Sequence, residues 1–324
     1  MRKIWLALLA ATALGAPGCS PESGADNAAA NVQTNEAAPK VAAANLPDAD
    51  PAMWVVRDED TTIYLFGTFH LLDGKTDWLN DEVRQAFDQS QELVFEIDMP
   101  KDPAKMQEAM APLVMRYALD QKGRTISSRL TPEENKKLGE ALSVLGVPAA
   151  AFERFKPWFV NMMLSAVSAQ KQGLTGENGA EEVLRRAAAG RNMKMGAVET
   201  MEGQIRLFDT MSDEEQLKQL KTTLGQMEET DKALPRMLRA WNEGDTAAME
   251  KEMDEGLDDP ALRRVLLENR NRAWAEWIDG RLDTPGTVFM AVGMGHLVGP
   301  DSVQFFLKQR GIGSERVPRL TPGR

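Results

Sequence analysis

The chain has one cysteine, two histidines and no block of basic residues. A single cysteine excludes an internal disulfide, so the fold must hold by packing alone. Its 38 lysines and arginines are outnumbered by 49 aspartates and glutamates, for a net charge of −11. The positive charges are scattered among acids, so the electrostatic footprint that phosphate requires is missing and nucleic acid is not an expected partner. After the N-terminal segment no run is apolar enough to span a bilayer. The 324 residues suffice for one large domain or two small ones with a substantial core.

What is present begins with an export signal. Arg2 and Lys3 form a charged start, Ile4 to Leu14 a short apolar stretch, and Gly15, Ala16, Pro17 and Gly18 lead to Cys19. Cys19 stands where a bacterial lipoprotein carries its lipidated residue; the alternative is an ordinary cleaved signal with an incidental cysteine. Ala16 and Pro17 depart from the usual lipobox, and Ser20 rather than Asp follows the cysteine, as in outer-membrane sorting. Ser20 to Pro51 is rich in Ala, Asn, Pro, Asp and Glu, a composition that cannot bury enough surface to offset ordering. The expected organisation is a signal over 1–19, a linker over 20–51 and a folded domain over 52–324. That places an exported protein at the outer membrane, facing the periplasm and held through an N-terminal lipid anchor.

Met53 to Arg57 and Thr61 to Phe66 flank the polar turn Asp58-Glu59-Asp60, a hairpin signal, with Gly67 ending the second strand. Asp77 to Gln89 reads as a helix and Leu93 to Ile97 as a short strand. From Asp102 to Leu282 the pattern is mostly helical. Capping boxes stand at Thr131/Glu134 and Ser212/Glu215, and helices are expected over Pro157 to Lys171, Glu181 to Ala189 and Pro260 to Arg281. Met193 to Val198 interrupts them as a strand ending at Glu199. Strand character returns at Thr287 to Val292, a helix follows over Asp301 to Arg310, and Glu315 to Leu320 is a candidate edge strand. The expected fold is α/β: a mixed sheet built from strands of both chain ends, with a large helical insertion between them.

The two histidines sit in matching segments. Ile63 to Leu72 reads IYLFGTFHLL and Phe289 to Val298 reads FMAVGMGHLV. In each, four apolar residues lead to a glycine (Gly67, Gly293), then two residues, then His70 or His296. With 25 glycines in 324 residues, a histidine has glycine three residues before it roughly 8% of the time, so two chance matches fall below about 1%. A buried strand ends at its carboxyl edge, where open sheets bind ligands. Glycine there permits a sharp turn or a close approach, and the following histidine then projects over the edge. Two such units place two imidazoles at one site, as metal ligands or as a general base. The lesser reading of a lone histidine, a satisfied core residue, does not account for the matched contexts.

Carboxylates complete such a site. Glu96 lies late in the strand Leu93-Val94-Phe95-Glu96-Ile97 and alternates with Phe95 and Ile97, so it is either at the sheet edge or buried with a partner. Two histidines and one carboxylate make an open metal site suited to activating water; otherwise Glu96 pairs with an arginine or caps a helix. Glu199 ends its strand in the same manner and is a second candidate. Arg270, before the last strand, is placed to orient Glu96 or stabilise an oxyanion, or else lies on a solvated helix face. Asp98 reads as a cap, and Met162, Met163, Met193 and Met195 as core packing.

At these residues the chain resembles the TraB/GumN/PrgY family, which includes the Tiki proteins. The carriers are Gly67-Thr68-Phe69-His70, Val94 to Asp98, Pro157-Trp158, Glu199-Thr200 with Gln204, Arg270-Asn271 with Trp274, and Gly293-Met294-Gly295-His296, spread from about Met53 to Val317. The resemblance implies a fold shared with the erythromycin-esterase-like and haem-uptake ChaN-like groups. It also implies a membrane-tethered metalloprotease centre, with His70, His296 and Glu96 on a divalent transition metal (manganese, cobalt or zinc) and Arg270 beside it. Where many relatives have Gly-hydrophobic-Asp, this chain has Gly179-Ala180-Glu181, which leaves the role of Glu181 open. The leading expectation is a metal-dependent hydrolase acting on a peptide or small-molecule substrate. The alternatives are a metal-independent, esterase-like hydrolase with Glu96 orienting His70, and a non-catalytic binding protein for haem, metal or a signalling peptide.

Overall fold

The turn Asp58–Asp60 closes a hairpin because Asp58 Oδ1 accepts from the backbone N–H groups of Asp60 (3.1 Å) and Thr61 (2.8 Å). Its strands are β1 (Met53–Arg57) and β2 (Thr61–Thr68), paired antiparallel from Met53↔Phe66 to Arg57↔Thr62. This computed structural model describes residues 46–320 except 101 and 258. The signal, Cys19 and the linker as far as residue 45 lie outside the described residues. The last linker positions already belong to the fold: the N–H of buried Ala49 donates to the Asp77 carbonyl (3.1 Å), and that of Asp50 to the Asn242 carbonyl (2.7 Å).

Four more strands, β3 (Glu92–Ile97), β4 (Lys194–Glu199), β5 (Gly286–Gly293) and β6 (Glu315–Arg316), complete a six-stranded mixed sheet in the order β4-β3-β5-β2-β1-β6. The central four, β4, β3, β5 and β2, run parallel, and β1 is antiparallel to both of its neighbours. The expected joining of both chain ends is met by the β2–β5 pair. Its register runs from Thr61↔Gly286 to Thr68↔Gly293, so Gly67 lies beside Val292 and the two Gly-x-x-His segments leave the sheet at the same carboxyl edge.

Both faces of the sheet are covered, which is why its parallel strands are almost continuously apolar. Successive residues point to opposite sides. Phe66 and Phe289 join Phe87 and Trp241 in the larger core, while Leu65, Val288, Met290 and Val292 pack with Trp274, Ile278 and Leu307 on the other face. Between β3 and β5 the chain is mostly helical, with β4 its only strand among the described residues. Both expected capping boxes form, at Thr131/Glu134 and Ser212/Glu215, and the helix Pro157–Lys171 has its expected bounds.

Several boundaries differ from expectation. The helix expected from Asp77 begins at Asp81, because Asp77 is held by backbone bonds to Pro47 and Ala49 and Asn80 serves as the N-cap. Strand β2 does not stop at Gly67 but pairs through Thr68. The expected helix Pro260 to Arg281 is three pieces: Pro260–Arg263, a π-helical turn Arg264–Glu268, and Asn269–Leu282. Strand β6 ends at Arg316; one further bond, from the Val317 N–H to the Met53 carbonyl (2.9 Å), precedes Pro318, which has no N–H to continue the ladder. Among the described residues no helix is long and apolar enough to cross a membrane.

Candidate functional site

The carboxyl edge of β2, β5 and β3 gathers His70, His296 and Glu96, as the spacing led one to expect. Gly293 is their meeting point. A methyl group on it would stand 3.0 Å from Glu96 Oε1 and 3.4 Å from His70 Nε2, so glycine lets both approach the backbone. The Gly293 N–H donates to Glu96 Oε1 at 2.6 Å.

The two histidines are held differently. His70 is buried, and its Nδ1 lies 2.5 Å from Glu181 Oε1. The same oxygen accepts the Thr68 hydroxyl at 2.5 Å. The carboxylate can only accept, so Nδ1 carries hydrogen and Nε2 is the nitrogen turned toward Gly293 and Glu96. Burial alone would lower the His70 pKa, but the Glu181 carboxylate outweighs it and holds the imidazole above its ordinary 6.5. Burial would likewise raise Glu181, yet His70 and the Thr68 hydroxyl keep it ionised. The metal-independent alternative had Glu96 orienting His70; the carboxylate bonded to its Nδ1 is that of Glu181.

His296 is completely buried, with both ring nitrogens engaged. Asn271 Nδ2 donates to the Asp301 carbonyl (2.7 Å), which leaves Asn271 Oδ1 to accept from His296 Nδ1 at 2.5 Å. His296 Nε2 therefore accepts from Arg270 Nη1 at 2.9 Å. Burial and the adjacent guanidinium push the His296 pKa well below 6.5, so the ring is neutral.

Arg270 organises this side of the edge. Its Nη2 donates to Glu96 Oε2 (2.7 Å) and Glu199 Oε2 (3.0 Å), and its Nε to Glu199 Oε1 (2.8 Å). Nη1 also reaches the Leu266 carbonyl (3.2 Å), within the π-helical turn that precedes its helix. Gln204 bridges Glu96 and Glu199 at 3.0 Å each, and the Trp274 indole N–H donates to Glu199 at 2.8 Å. Burial would raise the Glu96 pKa, but the Arg270 guanidinium above all holds it down at about 2. Arg270 is thus buried rather than on a solvated face, and it steadies two carboxylates.

A small cleft opens beside this cluster, lined by His70, Phe95, Glu96, Ile97, Met99, Glu181 and Arg185, with about 20 Å³ of free volume, room for a water-sized group. Glu199, Arg270 and His296 stand behind Glu96 and do not line it. Sequence reasoning left Glu181 undecided and did not name Thr68, Asn271 or Arg185 as site residues. One signal was available in Gly179: a methyl there would fall 2.0 Å from the His70 carbonyl oxygen, so the glycine seats Glu181 against His70.

The donor set fits a metal poorly in this arrangement. His296 Nε2 and Glu96 Oε1 are 3.9 Å apart, a spacing two ligands of one ion can have, but the Arg270 guanidinium already occupies the His296 lone pair and Glu96 Oε2. Among the described residues no three His, Cys, Asp or Glu side chains form a group able to hold a metal ion.

The fold and this edge define an α/β domain whose site is built from two Gly-x-x-His units around a Glu–Arg–Glu cluster in which Glu96 and Arg270 are buried. The chain belongs to the TraB/PrgY/gumN family, which it matches over residues 52–316. It is 23% identical to "Metalloprotease TIKI1" of Danio rerio, over 90% of this chain and 68% of that protein. It is 26% identical to the uncharacterized protein YbaP of Escherichia coli K12, over 56% of this chain and 68% of that one. An uncharacterized protein of Treponema pallidum (strain Nichols) is 25% identical, over 79% of this chain and 80% of its own length. No solved structure matches the chain.

Proposed function

We propose that the protein is a hydrolase in which His70 activates water at the small cleft. The observation that carries this reading is the His70–Glu181 pair. Nδ1 is locked by a buried carboxylate, and Nε2 has no hydrogen-bond partner among the described residues and stands beside an ionised Glu96. Neutral His70 takes a proton from water through Nε2 as the oxygen attacks a carbonyl carbon. Glu181 stabilises the imidazolium that forms, and Nε2 then returns the proton to the leaving group. The substrate is a peptide or a small ester or amide. The 23% identity to "Metalloprotease TIKI1" of Danio rerio supports the reaction class. On this reading the protein is exported and tethered through Cys19 at the outer membrane, facing the periplasm. The charged start, the apolar stretch and the sole cysteine support that placement.

The second reading is a metal-dependent peptidase with His70, Glu96 and His296 as ligands. It is supported by the 3.9 Å approach of His296 to Glu96 and by the name of the Danio rerio relative, and it requires Arg270 to release His296.

The test is hydrolysis of a panel of peptides and aryl esters by the purified protein, with and without chelator, alongside its metal content. Expected is chelator-resistant hydrolysis that falls about 10²- to 10⁴-fold in His70→Ala. Hydrolysis that needs a bound metal lost from both His70→Ala and His296→Ala establishes the second reading instead. A protein that cleaves nothing in the panel is not the proposed hydrolase.

A further inference from the structure

Arg185 is the cation of the cleft that the mechanism above does not use. It is 5% exposed, on the helix Ala180–Ala189 one turn after Glu181, and its guanidinium carbon lies 4.7 Å over the Phe95 ring. One of its N–H groups, on Nη1, donates to Glu182 Oε2 at 3.1 Å. Nε and Nη2 have no protein acceptor among the described residues, although a buried guanidinium normally commits its donors.

That free Nε–Nη2 edge is the fork that receives a carboxylate through two parallel hydrogen bonds. The aromatic ring beneath holds the guanidinium plane in place. Of the cleft's other charges, Glu96 is paired with Arg270, and Glu181 bonds His70 and Thr68 through Oε1 while its Oε2 has no hydrogen-bond partner among the described residues. Glu182, the remaining counter-charge of Arg185, sits at the rim with its side chain 38% exposed. Arg185 therefore keeps a donor edge without a protein acceptor in the cleft that His70 also lines. The cleft's free volume of about 20 Å³ excludes a large side chain.

We infer that Arg185 receives a carboxylate of the substrate, adjacent to the bond presented to His70, as at the free C-terminus of a peptide. Arg185 is then a specificity residue that selects acylated amino acids and C-terminal residues over their amides. The choice of substrate class rests on the hydrolase reading, whereas the carboxylate site itself does not.

Calorimetric titration of the full protein with N-acetylalanine and with N-acetylalanine amide tests this without turnover. The acid should bind about tenfold more tightly or better, the size expected for a charge-assisted fork, and Arg185→Gln should remove the preference. Equal affinity for acid and amide, no binding of either at millimolar concentration, or a preference that survives Arg185→Gln would overturn the assignment. The acid–amide contrast in the unaltered protein decides the matter even where the variant fails to fold. Acid binding that depends on Arg185, in a protein that hydrolyses nothing, would sink the hydrolase reading alone.

Discussion

His70 and Glu181 share a hydrogen bond of 2.5 Å, and the oxygen that accepts it also takes the Thr68 hydroxyl. Thr68 stands beside Gly293 in the β2–β5 register, while Glu181 comes from a helix more than a hundred residues further along the chain. A sheet edge and a helix start thus fix one imidazole between them.

Removing the Glu181 charge should act on His70 first. In Glu181→Gln the main offset to burial is gone and only the Glu96 charge still raises His70, so its pKa, now above 6.5, should drop in an NMR titration of the ring. The neutral ring is the base, so hydrolysis by the unaltered protein should rise with pH through the raised pKa. In the variant that limb should move to lower pH, and the plateau should fall about a hundredfold or more. The stability sign follows from linkage. A raised folded pKa contributes stability in full below 6.5, and that contribution is lost as pH rises through the folded value. Glu181→Gln should therefore cost most on the acid side of neutrality; a His70 titration unchanged by the substitution would refute this account.

Arg270→Ala leaves buried Glu96 and half-buried Glu199 without their shared cation. Loss of one partner from such a cluster costs about 3–5 kcal/mol, measurable by urea unfolding at pH 7. Arg270→Lys should recover little, because one ammonium cannot replace bonds to Glu96, Glu199, His296 and Leu266. The pH response separates this from simple loss of packing. Glu96 is lowered from 4.5 to about 2, so its contribution is present above 4.5 and lost as pH falls toward 2. In Arg270→Ala burial acts on Glu96 with its main counter-charge gone, and the deficit relative to the unaltered protein should narrow as pH falls from 7 to 4. A deficit that is constant with pH would show that packing alone was lost.

Two glycines at the site should respond differently to alanine. The added methyl at Gly179 meets the His70 backbone carbonyl at 2.0 Å, whereas at Gly67 it meets the Met294 sulfur at 2.2 Å. A methionine side chain can move aside and a carbonyl in a fixed turn cannot. Gly67→Ala should cost about 1–3 kcal/mol by urea unfolding, as core overpacking does, and Gly67→Ala with Met294→Ala should recover part of it. Gly179→Ala should cost more, shift the His70 ring resonances, and gain nothing from Met294→Ala.

The sheet was legible in the sequence because its buried parallel strands are short apolar runs ended by glycine, a local signal that needs no partner to be read. The matched Gly-x-x-His segments also carried their own alignment, and the β2–β5 register converts equal spacing along the chain into equal height at the edge. Strand alternation could put Glu96 at that edge or in the interior, and it is both: at the carboxyl end and 6% exposed.

What each group does was decided only by the tertiary structure. The two histidines look equivalent in sequence, yet His296 is made neutral and closed by Arg270 and Asn271, while His70 is lifted by Glu181 and left open at Nε2. Those partners come from helices whose facing residues depend on packing angle and on the π-helical turn before Arg270. The sequence by itself determined the strands, their glycine-marked ends and the pair of histidines, because each rests on neighbours in the chain. Protonation, partner and access depend on burial and on charges brought from distant segments, so only the folded arrangement could set His70 apart from His296.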